Sequence, residues 1–529
     1  MKAFKINMVA LALLIVGATG CSKKFEEYSL NKNLPTSVPS GVVLKGVLNN
    51  IVTFPGGEED KACQFYVSNY TYYGDNKYWN GSAGLSYGVL NNVISMEELA
   101  YNANGSSNNP YHALGLFLRA YFFTEMSKKV GDLPMTEALQ GTANIKPKYD
   151  SQKQIFLQSL NWLDSANIIL SSVLSSGVKE FSGDFYFKEA LSGAYGGGNG
   201  YDALVQWRKV VNSYALRLLI DLSKKADDGD LNVKSRFGAI FNNPAQYPIF
   251  TSNSDNLQYV YNDKYNYYPN NSNNYGNDAG RLNVGGTLLN NLSDLNDIRA
   301  MYLAEPARGL GFEDTDYRSF KGANLGQDLS SMAALSAQGK ISFLNYKKYY
   351  SGLTGEPTFI ISYPEVCYSI AEAMNRGWVT GSAEAWYRKG TEAMFGFYGI
   401  VDGGNKVSFR KSDGSGYDEY SVDFNYDSYF SQPSVKYAGD NADGLKQILL
   451  QKYLGFARNS GLQAYYQWRR TGVPEFNTGP GTGNGGVIPM RFQYPSNERS
   501  VNKANYDAAV SSQFGGAGDD INQLLWINK

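Results

Sequence analysis

The chain is 529 residues long, 43% hydrophobic and 18% charged, with a formal net charge of −1. That length accommodates one very large domain or roughly two to four ordinary ones, and the near-balanced charge excludes the basic field that nucleic acid would require. A single histidine, His112, excludes a multi-histidine zinc site and any histidine triad not built on His112 itself.

Residues 1–20 read as an export signal. Lys2 and Lys5 form a basic head, residues 8–16 an apolar core, and Ala18, Thr19 and Gly20 the small residues that precede a cleavage site. The apolar run is too short for a stable span, and no later run approaches the ~18 residues a span needs. Cys21 follows at once, an arrangement that resembles the bacterial lipoprotein box, in which the thiol is acylated and becomes the mature N-terminus. The expectation is a chain lipidated on Cys21 and tethered to an envelope membrane; an ordinary secretory signal beside a chance cysteine is the alternative. Cys63 and Cys367 are the other cysteines. One disulfide between them would not staple a chain of this size, and Cys367, in an apolar helix, reads as a buried thiol.

Residues 21–45, polar and broken by Pro35 and Pro39, read as a spacer, with a first helix near 42–52. A ring-crowded loop follows at 54–84, carrying Phe65, Tyr66, Tyr70, Tyr72, Tyr73, Tyr78 and Trp79 around a turn at Gly74, Asp75 and Asn76. Helical spacing resumes at 85–101 and is strongest at 111–129, where Leu114, Phe117, Leu118, Tyr121, Phe122 and Met126 recur in steps of three and four between Pro110 and Gly131. His112 opens this helix and reads as structural. Long helices are predicted at 151–173, capped by Ser151, and at 201–225, with Leu204, Trp207, Val211, Tyr214 and Leu218 on one side. Helices of this length and order suggest a mostly α, solenoid-like core of tetratricopeptide-like hairpins.

Residues 242–285 break the pattern with Tyr261, Tyr265, Tyr267, Tyr268 and Tyr275 set among asparagines, and predict an irregular excursion of the kind kept for a functional surface. A helix at 287–302, a glycine-rich loop at 307–340, two helices within 363–395 joined at 377–381, a loop at 400–440, helices at 443–458 and 461–470, an extended piece at 489–492 and a closing turn at 506–512 complete the order.

Chemistry-bearing motifs are few. Glu365 and Glu372 share a helix face at a spacing of seven, but glycoside hydrolysis needs two carboxylates across a cleft, and structural roles are expected for both. Asp227, Asp228 and Asp230, and the 440–444 stretch, look like fragments of calcium loops without the full oxygen pattern. They read as turns; a structural calcium ion has no support, and no cofactor, metal ligand or catalytic residue is assigned. No phosphate loop, nucleophile elbow or H-E-x-x-H motif is present.

The palette that stands out is aromatic and small-polar: 41 tyrosines, 27 phenylalanines, 7 tryptophans and 56 glycines. Flat rings with a polar edge suit the apolar faces of sugars, and asparagine offers both donor and acceptor to hydroxyls. The candidate ligand contacts are Tyr72, Tyr73, Asp75, Asn76, Tyr78 and Trp79 in one cluster and Tyr265, Tyr267 and Tyr268 in a second. The competing reading is that these rings pack the loops onto the helical body.

Segments 116–141, 148–170, 207–225, 295–306, 359–399 and 488–510, among them LFLRAYFFTEMSKKVGDLP and FIISYPEVCYSIAEAMNRGW, together resemble the SusD/RagB-like outer-membrane glycan-binding lipoproteins of Bacteroidetes. Lys24, Phe25, Glu26 and Glu27 after the anchor cysteine loosely resemble the surface-export signals of such lipoproteins. Arg119, Trp207, Arg208, Asn212, Glu372, Arg376, Gly377 and Trp378 carry the resemblance as fold markers, not as catalytic residues. The resemblance implies a signal at 1–20, a lipidated spacer at 21–45 and, over 46–529, one large mostly α domain of tetratricopeptide-like hairpins with long irregular loops on one face. It also implies a non-catalytic protein on the outer membrane, facing the exterior, that captures oligosaccharide and passes it to a SusC-like TonB-dependent transporter. Capture of peptide or another nutrient, a non-catalytic helical adaptor, and an envelope glycosidase are the competing functions.

Overall fold

A computed structural model describes residues 38–70, 82–177, 181–187, 200–458 and 460–529. Its longer helices, in chain order, are α1 Ser40–Leu48, α2 Tyr87–Asn104, α3 Pro110–Val130, α4 Gln152–Ser175, α5 Gly200–Asp221, α6 Val233–Asn242, α7 Gly286–Asp294, α8 Leu329–Ala337, α9 Tyr363–Asn375, α10 Ala383–Phe397, α11 Ala442–Gly455, α12 Gln463–Thr471 and α13 Lys503–Phe514. Helices adjacent in sequence pack as hairpins: α2 on α3, α3 on α4, α4 on α5 and α9 on α10. The mostly α architecture expected from the spacing, and the single domain implied by the resemblance, are present.

The caps explain the boundaries. The Asn109 side chain accepts from the His112 backbone N–H while Pro110 occupies the first helical position of α3. Ser151 and Gln154 form a reciprocal capping box on α4. Ser362 caps α9, which ends at Arg376 before Gly377 at φ +72°, a left-handed turn that favours glycine. α3 is buried around nearly its whole circumference and is therefore the central helix of the hairpin array.

Two large cores result. The first gathers Leu44, Leu90, Leu114, Phe117, Leu163, Trp207, Leu218 and their neighbours from α1–α6. The second gathers Leu288 and Leu289 of α7 with a dense set of tyrosines from loops and from α9–α12, including Tyr268, Tyr349, Tyr387, Tyr429, Tyr453 and Tyr465. α9 stands between them, sending Val366, Ile370 and Ala373 to the first and Tyr368 and Ala371 to the second.

Three local expectations are corrected. Residues 400–440 contain an antiparallel hairpin, with β5 (Gly403–Arg410) and β6 (Tyr417–Phe424) registered Gly403 to Phe424 through Arg410 to Tyr417. Its alternating Asn405, Val407 and Phe409 point inward. α8 stands inside the stretch read as a glycine-rich loop. The packed body begins at Ser40, inside the expected spacer, because Leu44, Val47 and Leu48 of α1 are fully buried. Two further short antiparallel pairs tie distant segments together: β1 (Tyr66–Ser68) with β3 (Leu282–Val284), and β2 (Leu257–Tyr259) with β4 (Thr358–Ile361). Cys63 and Cys367 are both buried free thiols.

Candidate functional site

The tyrosine–asparagine excursion leaves β2 at Tyr259 and is shaped by its own asparagines. Asn262 Oδ1 accepts from the N–H groups of Lys264 at 3.0 Å and Tyr265 at 3.1 Å, and the Asn262 N–H donates to the Asn266 carbonyl at 2.7 Å. Asn266 Nδ2 donates to the Val260 carbonyl, and the Tyr259 hydroxyl donates to Asn266 Oδ1 at 3.3 Å. Farther on, Asn271 Nδ2 donates to the Tyr268 carbonyl and Asn274 Nδ2 to that of Pro269. Many of the asparagines that suggested hydroxyl readers are thus spent on holding the loop in shape.

That scaffold presents rings outward. Tyr265 is 70% exposed and Tyr267 40% exposed. Phe54, 43% exposed, meets Tyr259 edge to face at 5.3 Å and lies 6.4 Å from Tyr261. Sequence reasoning missed Phe54; the Pro55, Gly56 and Gly57 turn that follows it was the available signal. Tyr268 is different and corrects the expectation of an open ring. It is fully buried, stacked on Tyr349 at 5.8 Å, with Gly355 packed so closely that a Cβ there would meet its ring at 2.4 Å. Its face belongs to the core.

Beneath the exposed rings lies a buried charged hub. Arg458 donates to Asn270 Oδ1 at 2.5 Å and faces the rings of Tyr66 and Tyr349 at 5.7 and 4.9 Å. The Asp60 carboxylate lies 4.0 Å from Arg458 Nε and accepts from the Gly56 N–H at 2.7 Å. Burial raises the Asp60 carboxyl to about 7, although Arg458 pulls the other way. The hub joins the 54–66 segment to the tyrosine–asparagine excursion.

The same two regions meet again at the sheet. β1 leads into Asn69, whose N–H donates to the Arg281 carbonyl at 2.9 Å and whose side chain donates to Asn283 Oδ1 at 2.6 Å. The Arg281 guanidinium lies over the Tyr70 ring at 4.3 Å. One root of the first ring cluster is therefore held against the end of the second. The cluster residues Tyr72, Tyr73, Asp75, Asn76, Tyr78 and Trp79 lie outside the described residues, as does Cys21.

The acidic candidates are all engaged. Glu365 pairs with Arg217, whose Nη2 also donates to the Ile360 carbonyl at 2.6 Å. Glu372, fully buried, is clamped between Arg470 and Arg376; burial would raise its carboxyl, but the two guanidinium groups outweigh that and hold it at about 2. Neither carboxylate faces a cleft. Lys153 bonds Asp228 at 2.9 Å and Asp230 at 2.7 Å, which makes that acidic turn an ion-paired one. His112 Nδ1 lies 2.9 Å from Glu97, which also binds Arg119. Among the described residues no group of His, Cys, Asp or Glu side chains is arranged to hold a metal ion. Trp207 is core, and Arg208 and Asn212 both donate to Asn167. The arrangement offers stacking faces and hydrogen-bonding rims.

Residues 57–495 match the family model SusD-like, described as starch-binding and associating with the outer membrane. No curated protein matches the sequence. Among solved structures, the chain is similar to a SusD homolog from Bacteroides fragilis NCTC 9343, at 27% identity over 93% of this chain and 100% of that one, with a TM-score of 0.77. A second SusD homolog from the same strain is 26% identical over 93% and 100% of the two chains, with a TM-score of 0.74. A chitin-binding SusD homolog from Flavobacterium johnsoniae shares the fold at 16% identity, over 92% and 98% of the chains and with a TM-score of 0.65.

Proposed function

Because the chain belongs to the SusD-like family, we propose that it is a surface lipoprotein that captures oligosaccharide and hands it to a SusC-like TonB-dependent transporter. Members of the family are non-catalytic binding proteins. The observation that carries the glycan reading is the outward-facing pair Tyr265 and Tyr267 on a loop braced by its own asparagines, with exposed Phe54 packed against Tyr259 at the loop's start. A rigid loop holds its rings in place before ligand arrives, so little ordering is required on binding. Stacking removes apolar sugar faces from water. Ring stacking on nucleic-acid bases contributes about 1–3 kcal/mol per ring, and sugars fall at or below the lower end of that scale. Such weak capture suits a relay, since the ligand must leave again.

The second part of the platform is assigned to Tyr72, Tyr73, Tyr78 and Trp79, with Asp75 and Asn76 reading hydroxyls. Its basis is residue type, together with the root at Tyr70 that abuts Arg281. Titration of the mature chain against a panel of neutral oligosaccharides tests the assignment. Binding to at least one glycan is expected, weakened at least about tenfold by Trp79→Ala with Tyr73→Ala and by Tyr265→Ala with Tyr267→Ala, as the loss of a ring or two implies. A panel with no binder, or wild-type affinity in both variants, overturns it. The tether is assigned to Cys21: a palmitate label should enter the full-length protein in cells and be absent from Cys21→Ala, which should leave the membrane fraction.

A further inference from the structure

A cleft lined by none of the exposed ring residues Tyr265, Tyr267 and Phe54 lies on the second core. Its volume is about 360 Å³, within the range of roughly 300–1,000 Å³ typical of small-molecule sites. Tyr302 and Phe397, both partly exposed, form its ring-bearing walls, and Tyr398 lines it at 9% exposure. The Tyr398 hydroxyl is buried and has no hydrogen-bond partner among the described residues, a state it shares with Tyr268, Tyr350 and Tyr466, and one that is costly in a site that stays dry. The opposite wall, Gly355 and Glu356, packs against the buried ring of Tyr268.

The charge of the residues that line this cleft is unbalanced. Lys347, Lys348 and Lys406 line it, and Glu356 is the one carboxylate among its lining residues. Glu356 is already taken: Lys348 Nζ lies 2.5 Å from its Oε2, and the Tyr349 hydroxyl donates to its Oε1 at 2.9 Å. The Lys348 ammonium also sits 4.0 Å from the centre of the Tyr398 ring. Lys347 and Lys406 are exposed and make no ion pair within 4.0 Å among the described residues: the Lys347 ammonium lies over the Tyr417 ring at 5.0 Å, and Lys406 stands opposite Ser421, with Glu419 and Asp423 at the diagonal positions. Burial drives the Tyr398 phenol well above its ordinary range, so it stays protonated.

We propose that this cleft is a second ligand site that takes an anionic sugar, one bearing a carboxylate or a sulfate, with its ring against Tyr302 and Phe397. The anion meets Lys347 and Lys406, and the Tyr398 hydroxyl donates to a ring substituent. That the ligand is a sugar rests on the glycan-binding reading above; that it is anionic and binds here does not. Charge-assisted contacts of this kind also predict binding that weakens as salt is raised.

The test is calorimetric titration of the whole mature chain at low salt with sodium D-glucuronate, galactose 6-sulfate and glucose. One or both anions should bind at least about tenfold more tightly than glucose, the scale of one charge-assisted hydrogen bond, and which of them binds identifies the anionic group. Lys347→Gln with Lys406→Gln, both at exposed positions, should reduce that affinity about tenfold. Tyr398→Phe, which removes a hydroxyl with no partner in the fold, should weaken binding and leave the unfolding temperature unchanged. Tyr265→Ala with Tyr267→Ala should not affect it, so loss of neutral-glycan binding and loss of anion binding are separately readable. Failure of both anions to bind, equal binding of glucose, or binding that survives the lysine and Tyr398 variants would overturn the proposal, as would anion binding that disappears in the Tyr265 and Tyr267 variant.

Discussion

The two cores of this molecule solve different problems. In the first, long helices satisfy their own backbone groups, so leucine, valine and phenylalanine can fill the interior. The second is assembled from short helices, strands and loops whose carbonyls need donors from elsewhere. Tyrosine supplies them: Tyr387 donates to the Val435 carbonyl at 2.8 Å, Tyr453 to Cys63 at 2.9 Å and Tyr465 to Pro489 at 2.6 Å. Arg469 does the same for the carbonyls of Met490 and Lys128. Even in the first core Tyr121 and Tyr186 donate to the carbonyls of Ile51 and Leu48, at and beyond the end of α1, and Tyr494 donates to that of Asp132. A tyrosine-rich composition therefore has two sources here, an exposed face and a polar interior, and only exposure separates them.

That contrast can be broken most forcefully at Asp297. Its carboxylate accepts from Arg299 and from the Tyr429 hydroxyl at 2.6 Å, all fully buried. Asp297→Ala leaves Arg299 uncompensated and should cost about 3–5 kcal/mol, read as a lowered urea midpoint. Leu114→Ala in the first core should cost about 2–5 kcal/mol through a cavity instead. Replacing Asp297 and Arg299 together by apolar residues should recover part of the first loss, while no second-site change of charge should rescue Leu114→Ala.

Next in size is the acid response of the junction between the cores. Glu372 titrates at about 2 when folded against 4.5 ordinarily. A lowered carboxyl stabilises the fold above its unfolded value, and that contribution, on the order of 3 kcal/mol, should be lost as pH falls from about 4.5 to 2. Glu372→Gln should flatten this limb of the stability profile. Asp60 has the opposite sign. Its folded value of about 7 lies above the ordinary 3.8, so the native state holds the extra proton, and stability should decline as pH rises between those values. Asp60→Asn should remove that decline.

A finer comparison sets two buried tyrosines of the same core against each other. Tyr429→Phe removes a hydroxyl bonded to Asp297 and Gln451 and should cost about 1–3 kcal/mol. Tyr268→Phe removes a hydroxyl with no partner among the described residues and should stay within about 0.5 kcal/mol or stabilise slightly. The smallest stability effect belongs to the outer rings: Tyr265→Ala and Tyr267→Ala should each shift stability by no more than about 0.5 kcal/mol while weakening glycan binding.

Legibility in the sequence followed the periodicity. α3, α4, α5, α9 and α10 were readable because apolar residues recur at helical spacing between recognisable caps. The β5–β6 hairpin escaped because its buried positions, Asn405, Val407 and Phe409, alternate with polar residues in a stretch rich in glycine and aspartate that reads as loop. α8 escaped because only Met332 and Ser336 of it are buried, too little apolar surface to mark a face. The candidate site was half legible. The 261–275 excursion was recognisable as irregular, but Tyr267 and Tyr268 are neighbours of identical type, one 40% exposed and one fully buried.

The chain's own residues determined the helical class, the order and caps of the long helices, and the membership of a fold family, because each depends on local spacing that any window of sequence contains. Which tyrosines are interior, which carboxylates are locked by arginine, that Phe54 joins Tyr259, and that a cationic cleft opens behind Tyr268 were decided by tertiary structure alone. In irregular chain no repeat dictates direction: a side chain turns inward or outward according to which distant carbonyl, ring or charge awaits it.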